Sequence, residues 1–85
     1  MTHAASREFW NLLESLPLSV QDLARKNFDL LKTDPRHPSL HFKKIGRMYA
    51  VRIGLRHRAL GVESGDGILW FWIGTHADYD RIVSE

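Results

Sequence analysis

The chain has 85 residues and no cysteine. That excludes a disulfide framework and any thiolate metal site. Its five histidines show no metal-ligand spacing; His37 and His41 are four apart, but Pro35 and Pro38 break any helix that would align them. No metal and no cofactor are expected. Long hydrophobic runs are missing too. The longest, Ile68 to Ile73, is far too short to span a bilayer, and the polar N-terminus lacks the basic-then-apolar pattern of a signal peptide. These absences lead us to expect no membrane partner and a cytoplasmic location. There is no internal repeat, low-complexity tract or linker, so residues 1–85 are expected to form a single domain. An apolar content of 44% argues against disorder.

The most informative absence is local. Between Pro35 and Val62 there is no Asp or Glu, whereas seven Lys or Arg fall there: Arg36, Lys43, Lys44, Arg47, Arg52, Arg56 and Arg58. His37, His41 and His57 are interleaved. The remaining residues carry five basic and ten acidic side chains, so the net +2 is a +7 segment set against a −5 remainder. Segregation of this kind points to a polyanionic partner, a nucleic acid or an acidic protein.

Hydrophobic periodicity supplies the architecture. Phe9, Leu12, Leu13 and Leu16 recur at helical spacing, which predicts a helix from about Ala5 to Ser15, stopped by Pro17. Ser19 is the expected cap of a second helix, with Asp22 three residues on, and Val20, Leu23, Ala24, Phe28 and Leu31 form its apolar stripe. The Asp34-Pro35 and His37-Pro38 pairs end it. Strands follow at 40–45, 48–54, 57–63 and 68–73, with turns at Gly46-Arg47 and Ser64-Gly65-Asp66-Gly67. Thr75 then caps a last helix. The order ααββββα predicts an α+β fold: an N-terminal α-hairpin packed on a twisted four-stranded antiparallel sheet, with a short C-terminal helix. The helices are expected on one face of the sheet, leaving the other partly open.

Four residues suit phosphodiester chemistry. A short hairpin brings Arg52 and Arg58 together on neighbouring strands, and His76 and Tyr79 share one face of the last helix. Arginine forks bind phosphate oxygens bidentately and stabilise developing charge. A histidine, with an ordinary pKa of ~6.5, moves a proton at neutral pH. A tyrosine stacks on a base or hydrogen-bonds a phosphate. RNA carries its own nucleophile, the 2′-hydroxyl, so such a site needs no metal. Each residue also has an ordinary structural use: edge protection for the arginines, a helix end for His76, core packing for Tyr79. Trp70, Phe71 and Trp72 read as core. Lys43, Lys44, Arg47, Arg56 and His57 read as a rim that contacts nucleic acid or a protein partner.

Several segments, in order and spacing, resemble the RelE/ParE superfamily of type II toxin–antitoxin toxins. They are Leu16-Pro17, Asp34-Pro35 through Leu40-His41-Phe42-Lys43-Lys44-Ile45, Tyr49-Ala50-Val51-Arg52-Ile53, His57-Arg58-Ala59-Leu60 and Ile73-Gly74-Thr75-His76-Ala77-Asp78-Tyr79. The ending is most similar to a ParE-like subgroup. The resemblance implies a toxin held in a hetero-oligomer by a cognate antitoxin. It implies two activities, a ribosome-dependent mRNA endoribonuclease that inhibits translation or a non-catalytic inhibitor of DNA gyrase, and a third state in which the domain only binds its antitoxin. Under the ribonuclease reading Arg52, Arg58, His76 and Tyr79 fall on or near the family's functional positions. The chain departs from the family at Ala50, where the most active ribonuclease members carry a second basic residue, and at His57, which replaces an aromatic.

Overall fold

The computed structural model describes residues 1–84. Ser6, in extended conformation, ends one strand and starts a helix: its hydroxyl accepts from the Phe9 amide at 3.1 Å, and α1 runs over Arg7–Glu14. It therefore begins two residues later than the apolar spacing suggests. Pro17 turns the chain into α2 (Leu18–Thr33) without any side-chain cap, so Ser19 lies inside the helix rather than before it. The buried Gln21 does the closing instead. Its amide donates to the carbonyls of Leu16 at 2.9 Å and Glu14 at 3.3 Å, satisfying the end of α1.

The sheet has five strands, one more than expected: β1 (His3–Ala5), β2 (Lys43–Ile45), β3 (Met48–Ile53), β4 (His57–Ser64) and β5 (Gly67–Thr75), in the order β1-β5-β4-β3-β2. The added strand, β1, runs parallel to β5, while the other pairs are antiparallel. Three residues carry no readable alternation, and their partner lies more than 60 positions away, so local pattern could not reveal the strand. The expected strand 40–45 is shorter than anticipated, because Pro38–Leu40 forms a 3-10 turn that sinks Leu40 into the core.

The α-hairpin covers one face, burying Phe9, Leu13, Ala24 and Leu31 against Val51, Ile53, Ile68, Trp70 and Ile73. The last helix, α3 (His76–Val83), lies on the opposite face, where Tyr79 packs with Ala50 and Leu60. That corrects the expectation of helices on one side only. A bulge makes both faces of β5 apolar. Leu60 opposes Trp72 and Gly61 opposes Trp70, so Phe71 has no partner. The alternation shifts there, sending Trp70 and Ile73 to the helical hairpin and Trp72 to α3.

The strand β1 is fastened by its backbone and by one side chain. The Thr2 carbonyl accepts from Ile68 at 2.9 Å, the Ser6 amide donates to Trp70 at 3.0 Å, and the Trp70 indole N–H donates to His3 Nδ1 at 3.0 Å. That last bond requires a neutral His3, and burial, followed by Lys32 and the terminal amine, lowers its pKa. The unfolded chain therefore takes up the proton first as pH falls, so stability declines as pH drops below the unfolded value of about 6.5. His57 is lowered in the same direction, by burial and Arg56. The melting temperature should fall on going from about pH 7.5 to about pH 5, and His3→Gln should flatten that slope in part. An unchanged slope in the variant would contradict this account of β1.

Candidate active site

The open part of the second face is organised by the turn between β3 and β4. Arg52 and Arg58 are direct cross-strand partners and therefore project from the same face. Two guanidinium groups brought this close repel one another unless something holds them. The Gly54 carbonyl does so, accepting from Arg52 Nε at 3.2 Å and from Arg58 at 3.4 Å. Arg58 also donates to the His57 carbonyl at 2.8 Å. Gly54 can present its carbonyl this way because its φ is +67°. A Cβ there would meet Leu23 of α2 at 2.6 Å. The strand is pinned from beneath by the buried Asn27, whose amide donates to the Arg52 carbonyl at 2.8 Å.

No carboxylate forms an ion pair with either arginine among the described residues. Burial, and next the Arg52 charge, pull the Arg58 pKa below its ordinary value, while Tyr79 and Asp80 act in the opposite sense. Arg58 nonetheless stays charged at neutral pH. Two adjacent, half-buried cations with no counter-ion make a site that an anion would relieve.

The same turn carries α3. The Arg56 carbonyl accepts from the His76 amide at 2.7 Å, and the Thr75 hydroxyl caps the helix by accepting from Asp78 at 3.2 Å. His76 is exposed, with Nδ1 at 3.4 Å from an Asp80 carboxylate oxygen one turn on. That contact turns Nδ1 toward Asp80. Its ring lies 5.9 Å from the Tyr79 ring, and the Arg58 guanidinium lies 6.0 Å from that ring on its face. Tyr79 is only 5% exposed, so its ring is a floor under Arg58 rather than a platform for a base. Its hydroxyl has no partner among the described residues, yet it is not sealed from solvent. Burial raises its pKa, with Arg58 working against that, so at neutral pH it is a hydrogen-bond donor.

The structure brings Arg52, Arg58, Tyr79 and His76 together, and divides the rim. Lys43 pairs with Ala50 and lies on the arginine face. Lys44 is on the other face, bonded to Glu63 at 3.1 Å, a bond that raises its pKa and lowers that of Glu63. His57 opposes Ile53 and also lies on the helical-hairpin face. Arg47 and Arg56 are exposed in turns. One residue escaped the sequence reading as a site residue. His41 Nε2 lies 3.2 Å from an Arg52 guanidinium nitrogen. Its signal was the hairpin register: Lys43 opposes Ala50, so continuing two residues places His41 opposite Arg52. The apolar cavity of about 300 Å³ between β1 and the helices lies on the other side of the sheet.

A protein-family model described as a ParE-like toxin domain matches residues 18–81. The chain belongs to that family. No curated protein matches it. The ParE-like chain is similar in fold to the toxin–antitoxin complex RelB-RelE of Methanococcus jannaschii (18% identity, TM-score 0.70, 92% of this chain and 96% of that chain). It also resembles YafQ from E. coli strain BL21(DE3) (9% identity, TM-score 0.72, 92% and 96%). A third likeness is to the YoeB/ParE toxin of Agrobacterium tumefaciens (14% identity, TM-score 0.67, 89% and 99%). The protein is thus a ParE-like toxin domain, with the α+β fold expected from its sequence.

Replacing Gly54 by Ala in this ParE-like domain should both strain the turn and misplace the arginines. We expect the unfolding free energy to fall by about 1–2 kcal/mol in denaturant titrations, the cost of a left-handed non-glycine residue. Affinity for an anion, measured with inorganic phosphate, should fall with it. A variant unchanged in both respects would contradict the role given to the turn.

Proposed function

We propose that this toxin is a metal-independent endoribonuclease that cuts mRNA on the ribosome. The observation that carries the reading is the Arg52–Arg58 pair, two cations fixed on one carbonyl with no carboxylate between them. Their forks grip the scissile phosphate and stabilise the charge that gathers on its oxygens as the 2′-oxygen attacks. The Tyr79 hydroxyl adds one hydrogen bond to the same phosphate, and its ring holds Arg58 in place. His76 moves a proton at the reacting centre, with Asp80 orienting its ring. Lys43, Arg47 and Arg56 extend the positive field along the RNA backbone, so binding weakens steeply with salt. Gyrase inhibition would leave the Arg pair and the histidine beside it without a task, which is why the ribonuclease reading is preferred.

An antitoxin partner belongs to this reading. The solved structures of similar fold from Methanococcus jannaschii and Pyrococcus horikoshii are themselves complexes of RelE with RelB. A partner of acidic character suits the acid-free strands of this chain. A ribosomal target implies the cytoplasm, and no helix among the described residues is long and apolar enough to cross a membrane.

The test is cell-free translation with mRNA ends mapped and gyrase supercoiling assayed in parallel. Cuts should appear only with ribosomes, survive chelator, and drop about 100-fold or more in Arg58→Ala. Intact mRNA together with inhibited gyrase would overturn the proposal.

A further inference from the structure

We infer that His41 is the general base of this site and His76 its general acid. The inference rests on the ribonuclease reading and adds a division of labour that the arginine pair alone does not contain.

Three observations converge on His41. Its backbone is left-handed, with φ at 44°, although it is not glycine. Strain of this kind, for a residue that is not glycine, is kept where surrounding structure fixes it and where function uses it. The fixing is visible: the fully buried Leu40 anchors the preceding turn, and the His41 amide donates to the Pro38 carbonyl at 3.4 Å. Second, Arg52 can only donate, so the Nε2 atom 3.2 Å from its guanidinium must be the ring's acceptor. In this contact the Nε2 lone pair of His41 is turned toward Arg52 and is occupied by its guanidinium. Third, the register sets the two histidines apart. Across the sheet run the position of His41, then Arg52, then Arg58 opposite Gly74, with His76 two residues beyond Gly74. The arginine pair thus lies between them. In-line displacement at phosphorus needs its attacking and leaving oxygens on opposite sides, and hence a base and an acid on opposite sides.

The step balances without a metal or a co-reactant. When a phosphate takes Arg52, His41 Nε2 is released and removes the proton of the ribose 2′-hydroxyl. The 2′-oxygen attacks the adjacent phosphorus. The bond from phosphorus to the 5′-oxygen breaks, and the His76 imidazolium gives its proton to that oxygen. The products are a 2′,3′-cyclic phosphate and a 5′-hydroxyl end, and water resets both histidines. The charged and titratable groups around His41 are Arg52 across the sheet, with Arg58 behind it, and Arg36 and His37 from its own loop, which line the same shallow cavity.

The experiment uses the full chain with translating ribosomes carrying either ordinary mRNA or mRNA with a single sulfur replacing the bridging 5′-oxygen at the cleavage site. Sulfur leaves without protonation. His76→Gln should lose about 100-fold or more in rate on ordinary mRNA and recover most of it on the sulfur substrate. His41→Asn keeps an acceptor for Arg52 but takes no proton; it should lose a similar factor, lose the acidic limb of the pH–rate profile, and gain nothing from sulfur. A His41→Asn variant as active as the parent, or one restored by sulfur as fully as His76→Gln, would overturn the assignment while leaving the ribonuclease reading intact. A parent chain that cuts neither mRNA would overturn both.

Discussion

The site depends on one backbone carbonyl. Gly54, in a conformation that side-chain-bearing residues resist, turns its oxygen toward two arginines that would otherwise push apart. The next carbonyls in the same connection extend its reach: that of Arg56 holds the start of α3, and that of His57 fixes Arg58 a second time. A three-residue turn therefore sets the spacing of the two guanidinium charges and the position of His76. The packing beneath serves the same end. Leu23 closes against Gly54 and Asn27 bonds the Arg52 carbonyl, so α2 acts as the rigid back of the turn.

The acid-free window is not one patch. Alternation along the strands sorts its charges, sending Lys43, Arg52 and Arg58 to the site and Lys44 and His57 to the opposite face. Lys44 is neutralised locally by Glu63, which also accepts from the Tyr49 hydroxyl. The acids of the last helix are engaged as well, Asp78 with Arg81 and Asp80 with His76. The arginine pair is left as two adjacent positive charges with no carboxylate partner among the described residues, an arrangement that an anion would relieve.

Much of this was legible in the sequence, for identifiable reasons. Period-3.6 stripes marked α1 and α2, period-2 alternation marked β3 and β4, and the short connection between those two strands placed Arg52 near Arg58. What stayed hidden depends on distant contacts. The strand β1 exists only because β5 accepts it in parallel, and the shifted faces of Trp70 and Trp72 follow from a bulge at Phe71 that no local pattern announces. Tyr79 was legible both as a core residue and as a site residue. It is both: its ring is buried while its hydroxyl is not sealed off. His41 was within reach, since carrying the hairpin register two residues past Lys43 would have set it beside Arg52; the proline-broken segment leading up to it drew attention away from it.

The claim beneath all of this is that Arg52 and Arg58 act as one phosphate-binding unit. A double-mutant cycle on affinity for an uncleavable 2′-O-methyl RNA measures that directly, using Arg52→Ala, Arg58→Ala and the double variant. The account predicts strong coupling, on the order of 1 kcal/mol or more, with either single change losing nearly as much affinity as both. Losses that simply add would mean the two arginines bind separate groups, and would contradict it.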